Sequence, residues 1–234
     1  MVKRTFRLLL ANWKVLVPLL MVGAGIGAVA AWLVGDAAWM VISLMLAATW
    51  LITINVVRQS LGREKIGISG VFANALRTFL SVVVLVVVMA VECVPLILLL
   101  VAYAAAVETE FLVNFGYAVG FVVFALLMVA ISGYLLAPTI MAAVAVSAPG
   151  LMPWTAVTLA ANVMEGHRLK FWGKFMMGAV VMAVMWVIVM VPLVLVGAAV
   201  VIMLAVVALL NVTVVFAASY LYLYYKDMIK LYYV

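Results

Sequence analysis

Six apolar stretches of about 20 residues recur along the chain, and short segments between them carry most of the charge. A stretch of this length is long enough to cross the apolar core of a bilayer, which is about 30 Å thick. The predicted spans are 15–34, 37–57, 79–103, 115–137, 175–196 and 198–220. Hydrophobic residues make up 72% of the 234 positions and charged residues only 9%, which excludes an ordinary soluble domain. The predicted fold class is therefore all-α: a polytopic integral membrane protein with six transmembrane helices in a single domain, 1–234.

The basic residues alternate with the spans in a consistent way. They precede the first and fifth spans, lie between the second and third, and follow the sixth. All thirteen belong to these four groups: Lys3, Arg4, Arg7, Lys14; Arg58, Arg63, Lys65, Arg77; Arg168, Lys170, Lys174; Lys226, Lys230. The other side carries only Asp36, Glu108 and Glu110. Since Lys and Arg in short loops favour the cytoplasmic side, we expect a multi-pass protein of the plasma membrane with both termini cytoplasmic.

Two alternatives concern the charge and the first span. A net charge of +6 can indicate nucleic-acid binding, but its placement at span ends indicates lipid headgroups, so no nucleic-acid partner is expected. The first span could be a cleaved signal sequence with Ala28-Val29-Ala30 as the cleavage site. The run is longer than the usual core of 7 to 15 residues, which favours a true span.

An internal repeat is suggested by two similar stretches 97 positions apart. Val87–Ala102 aligns with Val184–Ala199 so that Pro95 falls on Pro192. Each unit would contain a span, a cytoplasmic segment and a second span in the same orientation, which is a parallel repeat. Chance similarity between Val/Leu-rich helices explains the match equally well.

Two short interfacial helices are predicted in the cytoplasmic segments. The first is Pro153–Glu165, where Pro153 suits the first helical position and Gly166 suits the C-terminal cap. Its counterpart is Gly70–Phe79. Apolar residues recur at helical spacing in both, as is typical of helices that lie in the headgroup plane.

Glu92 is the ionisable residue that lies deepest within a predicted span. Counted from Phe79, it lies about 20 Å from the cytoplasmic edge, a little beyond the midplane. A charge there costs about 2.5 to 3.5 kcal/mol, so we expect a protonated or partnered carboxyl, with Asn211 as the first candidate partner. The alternatives are Thr213, Ser132 and Thr49. The functional interpretation is a proton- or cation-coupling carboxyl, and the structural one is an interhelical hydrogen bond.

Prolines and glycines indicate how the helices are shaped and packed. Pro95 and Pro192 are candidate kinks, because each removes one backbone donor from its helix. Gly23–Gly27 and Gly116–Gly120 have the small-xxx-small spacing that lets helix backbones approach closely. We expect this packing within the bundle, with a homodimer face as the alternative.

A further group of residues is predicted to lie at the lipid interface. Aromatic and basic side chains are enriched at that depth of membrane proteins. The residues are Trp154, Arg168, Lys170, Lys174, Tyr224 and Tyr225.

Catalytic and metal-binding patterns are missing from the sequence. His167 is the single histidine, and it lies outside the predicted spans, so a histidine metal cluster or an intramembrane Ser-His pair is not expected. The sixteen methionines are too widely spaced for a copper(I) site. We therefore expect no catalytic residues, no metal and no cofactor, and we do not expect an enzyme.

The stretch 138–175, PTIMAAVAVSAPGLMPWTAVTLAANVMEGHRLKFWGKF, resembles six-span bacterial membrane proteins of the glycerophosphoryl diester phosphodiesterase membrane-domain type. In those proteins an interfacial helix ends in a Gly-basic turn and enters the next span, as Glu165–Arg168 does here. The resemblance implies a membrane module of the bacterial inner membrane. The catalytic domain of that family is absent from this chain, so the resemblance implies no phosphodiesterase activity.

Two functions follow from these observations as hypotheses. The first is a non-enzymatic scaffold or accessory subunit that contacts membrane lipids and a protein partner, or a second copy in a homo-oligomer. The alternative is a small secondary transporter in which Glu92 couples substrate movement to protons or cations.

Overall fold

The computed structural model describes residues 1–34, 38–62, 68–109, 115–147, 151–197 and 199–232. Within these ranges the chain forms nine helices and no strand. They are α1 Val2–Ala11, α2 Trp13–Val34, α3 Ala38–Gly62, α4 Ile68–Glu92, α5 Val94–Glu108, α6 Phe115–Ala145, α7 Pro153–Met164, α8 Arg168–Val196 and α9 Ala199–Tyr232. The predicted all-α polytopic class is confirmed. Asp36, Glu110, Arg63 and Lys65 lie outside the described residues.

The helices include enough long apolar segments for a multi-pass membrane protein. In the described chain α3, the α4–α5 pair, α6, α8 and α9 are each long and apolar enough to span a bilayer. The first predicted span, 15–34, corresponds to α2, which together with α1 passes the same test as a pair bent by 88°. The protein is therefore embedded in a membrane through five or six helical segments.

Both termini lie at one end of the bundle, which we call the basic end. There Arg4 of α1 forms an ion pair with Asp227 of α9, with Nη1 and Oδ1 3.1 Å apart. The ends of α3 and α6 meet at this end too, because Arg58 donates a hydrogen bond to the Ser147 carbonyl oxygen. A cation beside the last carbonyls of α6 is favourable to that helix terminus.

Several helices continue past the predicted spans at the basic end. The structure extends α6 through Pro138 to Ala145, begins α8 at Arg168 and continues α9 to Tyr232. Hydrophobicity marks only the part of a helix that faces lipid. The extensions of α6 and α9 are instead buried by protein, which supports helical structure beyond the bilayer core.

The main hydrophobic core lies toward the basic end. It contains residues from α3, α6, α7, α8 and α9, including Leu51, Ile54, Val56, Met141, Val144, Val146, Met164, Phe171 and Tyr224. The remaining parts of the long helices are much less covered. Half of the most apolar 18-residue window of α3 is buried, but only 6% of the corresponding windows of α6 and α8. The helices are therefore tightly packed on the basic side and apolar surface is left uncovered elsewhere.

The N-terminal helix α1 was not predicted as an element. It lies at 88° to α2, with Thr5 and Leu8 buried against the bundle and Phe6 and Leu10 exposed by 44% and 70%. Leu8 packs with residues of α3 and α9. Such an amphipathic helix, with one side on the bundle, is typical of a segment that lies in the headgroup plane.

Only one of the two predicted interfacial helices is a separate helix in the structure. The first exists as α7, which buries Ala156 and Ala160 and is followed by Gly166 at φ +71°. The left-handed conformation explains why glycine occupies that turn. The predicted counterpart, Gly70–Phe79, is not a separate helix, because these residues form the first part of α4. A continuous apolar face allows this segment to extend the span directly.

The two proposed repeat units also differ at their prolines. Pro95 opens α5, directly after the break between α4 and α5 at Cys93. Pro192 lies inside the uninterrupted helix α8. The two prolines therefore occupy different positions in their helices, and the kinks predicted at Pro95 and Pro192 stay predictions.

Candidate functional site

Glu92 ends α4 and contacts two polar side chains of α6. The Thr139 hydroxyl donates to Glu92 Oε1 at 2.7 Å, and the Ser132 hydroxyl donates to the Glu92 backbone carbonyl at 3.0 Å. The neighbouring carbonyl, that of Val91, lacks its usual helical donor because Pro95 has no N–H. Glu92 Oε2 is buried and has no hydrogen-bond partner among the described residues.

The position of Glu92 can be given along its partner helix. Its α6 partners Ser132 and Thr139 lie about 26 Å and 36 Å from the start of α6 at Phe115, at about 1.5 Å per residue. The helix that carries Glu92, α4, begins at Ile68, before the predicted start of the span at Phe79. The predicted depth of Glu92, a little beyond the midplane, stays a prediction.

Asn211 is not the partner of Glu92. Its side-chain amide donates to the Val207 carbonyl at 2.9 Å, and its Oδ1 accepts from the Thr49 hydroxyl at 3.4 Å. A Cβ at Gly23 of α2 would lie 2.6 Å from this Oδ1. Asn211 therefore joins α3 and α9 at a point where glycine lets α2 approach, and its role is helix packing.

Thr213 belongs to a third, separate contact. Its hydroxyl donates to the Leu209 carbonyl at 2.8 Å and accepts from Trp186 Nε1 at 2.9 Å. The three predicted intramembrane polar residues therefore do not form one site. Each satisfies a local or interhelical hydrogen bond, as buried polar groups in apolar surroundings must.

The most distinctive polar arrangement lies between α6 and α8. Pro138 has no N–H, so the carbonyl of Tyr134, four residues earlier in α6, lacks its helical donor. Arg168, at the start of α8, supplies that donor from Nη1 at 3.0 Å. Its guanidinium carbon also lies 3.5 Å from the centroid of the Tyr134 ring, a cation–π contact. One turn along α8, Trp172 Nε1 donates to the Gly133 carbonyl at 2.9 Å.

Two cavities meet at this arrangement. An apolar groove of about 550 Å³ runs between α5, α6 and α8, and its lining includes Leu96, Val129, Gly133, Trp172 and Met176. A second cavity of about 510 Å³ is lined in part by polar groups of α7 and the following turn, Asn162, Glu165 and Gly166. Both cavities share Tyr134, Arg168 and Leu169. The arrangement therefore combines an apolar surface and a charged one on either side of Arg168.

Three of the predicted interface residues are accessible. Trp154 at the start of α7 is 74% exposed, and Lys170 and Lys174 of α8 are exposed. The Lys174 carbonyl also accepts a hydrogen bond from the Tyr220 hydroxyl at 2.8 Å, which joins α8 to α9. These positions are compatible with the headgroup layer.

The prediction is wrong for Tyr224 and only partly fulfilled for Tyr225. Tyr224 is 6% exposed and its ring centroid lies 5.8 Å from that of Phe171. Tyr225 is half-buried and lines a cavity of about 430 Å³ between α7 and α9. Because α9 continues past the core, these aromatic residues pack against protein where a belt at the lipid surface was expected.

Sequence reasoning missed Tyr134 and Pro138 as parts of a site. The detectable signal was a proline placed inside a helical pattern four residues after an aromatic residue, with a cation preceding the next span. No family model matches the chain, no curated protein matches it, and no solved structure matches it. The geometry of the described residues is therefore the basis for assigning a function.

Proposed function

We propose that the protein is a non-enzymatic accessory or scaffold module of the plasma membrane that binds a protein partner through the outer faces of α6 and α8. The observation that supports this is the uneven packing of the bundle. Only 6% of the most apolar window of each of these helices is buried, against 50% for α3. Moving an apolar helix surface from lipid onto a second helix yields no hydrophobic free energy, because lipid tails are equally apolar. Association of membrane helices therefore depends on close packing. Long and uncovered helices offer a large area for such packing.

The proposed orientation follows from the charges. Among the described basic residues, Arg4 and Arg58 form their contacts at the basic end, where both termini also lie. The proposal therefore places the basic end, α1 and α7 on the cytoplasmic side. The resemblance to six-span bacterial membrane modules is compatible with this role, since it concerns a module separate from any catalytic domain.

Site-specific photocrosslinking in intact membranes tests the partner surface. A photoreactive amino acid replaces Val122 of α6 or Val187 of α8, which are 56% and 60% exposed. The matched control is Met40 of α3, which is 75% exposed on a helix that is already half covered. The proposal expects one discrete protein adduct from Val122 and Val187 and none from Met40. Lipid adducts alone at all three positions would contradict it.

A second candidate function is a proton- or cation-coupled transporter. The observation that favours it is Glu92 Oε2, a buried carboxyl oxygen with no partner among the described residues, beside the break between α4 and α5. Such a group is able to bind a proton or cation during a transport cycle.

Proteoliposomes distinguish the two candidates. The transporter candidate requires substrate-induced proton uptake that Glu92→Gln abolishes, because glutamine keeps hydrogen bonding and cannot titrate. Thr139→Val is the control, since it removes the hydroxyl that contacts the carboxyl and keeps the carboxyl itself. Proton-coupled flux that is equal in wild type and Glu92→Gln would exclude coupling through this residue.

A further inference from the structure

The two cavities beside Arg168 differ in chemistry and share Tyr134, Arg168 and Leu169 in their linings. The groove is lined almost entirely by apolar side chains of α5, α6 and α8. The second cavity carries the carboxylate of Glu165 and the amide of Asn162. Each volume falls in the range of about 300 to 1,000 Å³ that is typical of ligand sites. An occupant of both must be an amphiphile with a polar head and at least one apolar chain.

The two cavities meet at Tyr134, Arg168 and Leu169, which we call the junction, and its position along α6 is compatible with the depth of lipid headgroups. Tyr134 lies 19 residues after Phe115 in α6, about 29 Å along the helix, which is close to the thickness of a bilayer core. Tyr134 and Trp172 are aromatic residues of the type that is enriched at the membrane–water boundary. The groove therefore extends from this boundary into the acyl-chain region.

The charges at the junction select the headgroup. The hydrogen bond to Tyr134 uses one of the five N–H donors of Arg168, which leaves the guanidinium able to bind a phosphate. Glu165 lines the same cavity, and in the described part of the chain it forms no ion pair with Arg168. A carboxylate beside a phosphate site disfavours a second negative charge and favours an ammonium group.

We propose that this junction binds one phospholipid with a primary-amine headgroup, of the phosphatidylethanolamine type. Its phosphate contacts Arg168, its ammonium group contacts Glu165 and Asn162, and an acyl chain occupies the groove along Gly133 and Trp172. The proposal goes beyond the proposed binding of a protein partner and adds a lipid site to the same module. A primary ammonium donates hydrogen bonds to a carboxylate, whereas a trimethylammonium headgroup has no N–H to donate.

Native mass spectrometry of the purified, delipidated full chain tests the proposal. Ethanolamine, glycerol and choline phospholipids with identical acyl chains are titrated separately. The expected result is highest occupancy with the ethanolamine lipid. Arg168→Gln should lower that occupancy about tenfold, as expected for the loss of one charge-assisted hydrogen bond. Lys170→Gln, an exposed position on the same helix outside both cavities, should have no effect.

Two further variants keep the test valid if Arg168→Gln also disturbs folding. Glu165→Gln should remove the preference for ethanolamine over glycerol headgroups without removing binding. Ala130→Phe should fill the groove and prevent retention, whereas Val122→Phe on the same helix outside the groove should not. Equal occupancy by all three lipids, or equal losses in Ala130→Phe and Val122→Phe, would overturn the proposal. The titration uses the isolated chain, so its failure leaves the partner-binding role to be judged by crosslinking.

Discussion

Arg168 contacts Tyr134 in two ways: its Nη1 donates to the Tyr134 carbonyl at 3.0 Å, and its guanidinium carbon lies 3.5 Å from the centroid of the ring. The carbonyl needs this donor because Pro138 cannot supply one. A proline inside a membrane-spanning helix thus creates the acceptor that holds the start of the next span. The same contact places a guanidinium between an apolar groove and a polar cavity.

The coupling between Pro138 and Arg168 is measurable by a double-mutant cycle. Arg168→Gln should lower the free energy of unfolding by about 1 to 2 kcal/mol in the wild-type background, because a carbonyl loses its donor. In Pro138→Ala the helix supplies an N–H to Tyr134, so the same change should cost about 1 kcal/mol less. Unfolding in detergent micelles, followed by tryptophan fluorescence, gives both values. Equal costs in the two backgrounds would show that the proline and the arginine act independently.

The packing of α2 on α9 depends on Gly27. A Cβ there would lie 2.6 Å from Cγ1 of Val207, a branched side chain that has little freedom to move. Gly27→Ala should therefore destabilise the protein by roughly 1 to 3 kcal/mol. Gly25→Ala is the control, since a Cβ at Gly25 meets nothing within 4 Å and alanine raises helix propensity. Thermal unfolding midpoints should fall for the first variant and stay constant or rise for the second.

The core at the basic end depends on Phe171. This side chain is 1% exposed, and its ring lies 5.4 Å from that of Trp172 and 5.8 Å from that of Tyr224. Phe171→Ala should cost about 3 to 5 kcal/mol of unfolding free energy, through lost burial and an internal cavity. Leu169→Ala, at a position 88% exposed, should change it by less than about 0.5 kcal/mol. Similar losses in both variants would mean that Phe171 is not part of a packed core.

If the protein is an accessory module, as proposed, Glu92 has only a modest structural role. Its contacts to Thr139 and Ser132 are interhelical hydrogen bonds, which average about 0.6 kcal/mol in membranes. Glu92→Gln should therefore change the unfolding free energy by less than about 1 kcal/mol. The yield of the purified complex with its partner should also stay the same. Loss of the partner in this variant, at unchanged stability, would assign Glu92 a functional role.

Much of the fold is predictable from hydrophobicity, because the length of an apolar run reflects the thickness of the bilayer. The five helical segments that are long and apolar enough to span a bilayer, and the turn at Gly166, are examples. Hydrophobicity does not indicate helices that are stabilised by protein contacts outside the bilayer core. The continuation of α6 through Pro138 was missed for that reason, and so was the in-plane helix α1. A helical period in residues 2–11, with Thr5 and Leu8 on one side, was the available signal for α1.

The candidate site was less predictable, because depth alone does not determine which helix faces which. Asn211 and Glu92 were paired on their estimated depths, yet they contact α3 and α6 respectively. Tyr224 was assigned to the lipid surface because tyrosines are common there, and it is buried beside Phe171. Neighbour relations between helices come from three-dimensional packing, which one sequence does not contain.

The mass and composition of the complex purified in a mild detergent test the proposed role most directly. The accessory-module proposal predicts a discrete complex that contains a stoichiometric protein partner, and this partner should crosslink at Val122 and Val187. A monodisperse single chain of 25.2 kDa that retains only lipid, with no protein adduct at either position in intact membranes, would contradict it. That result would favour the transporter candidate.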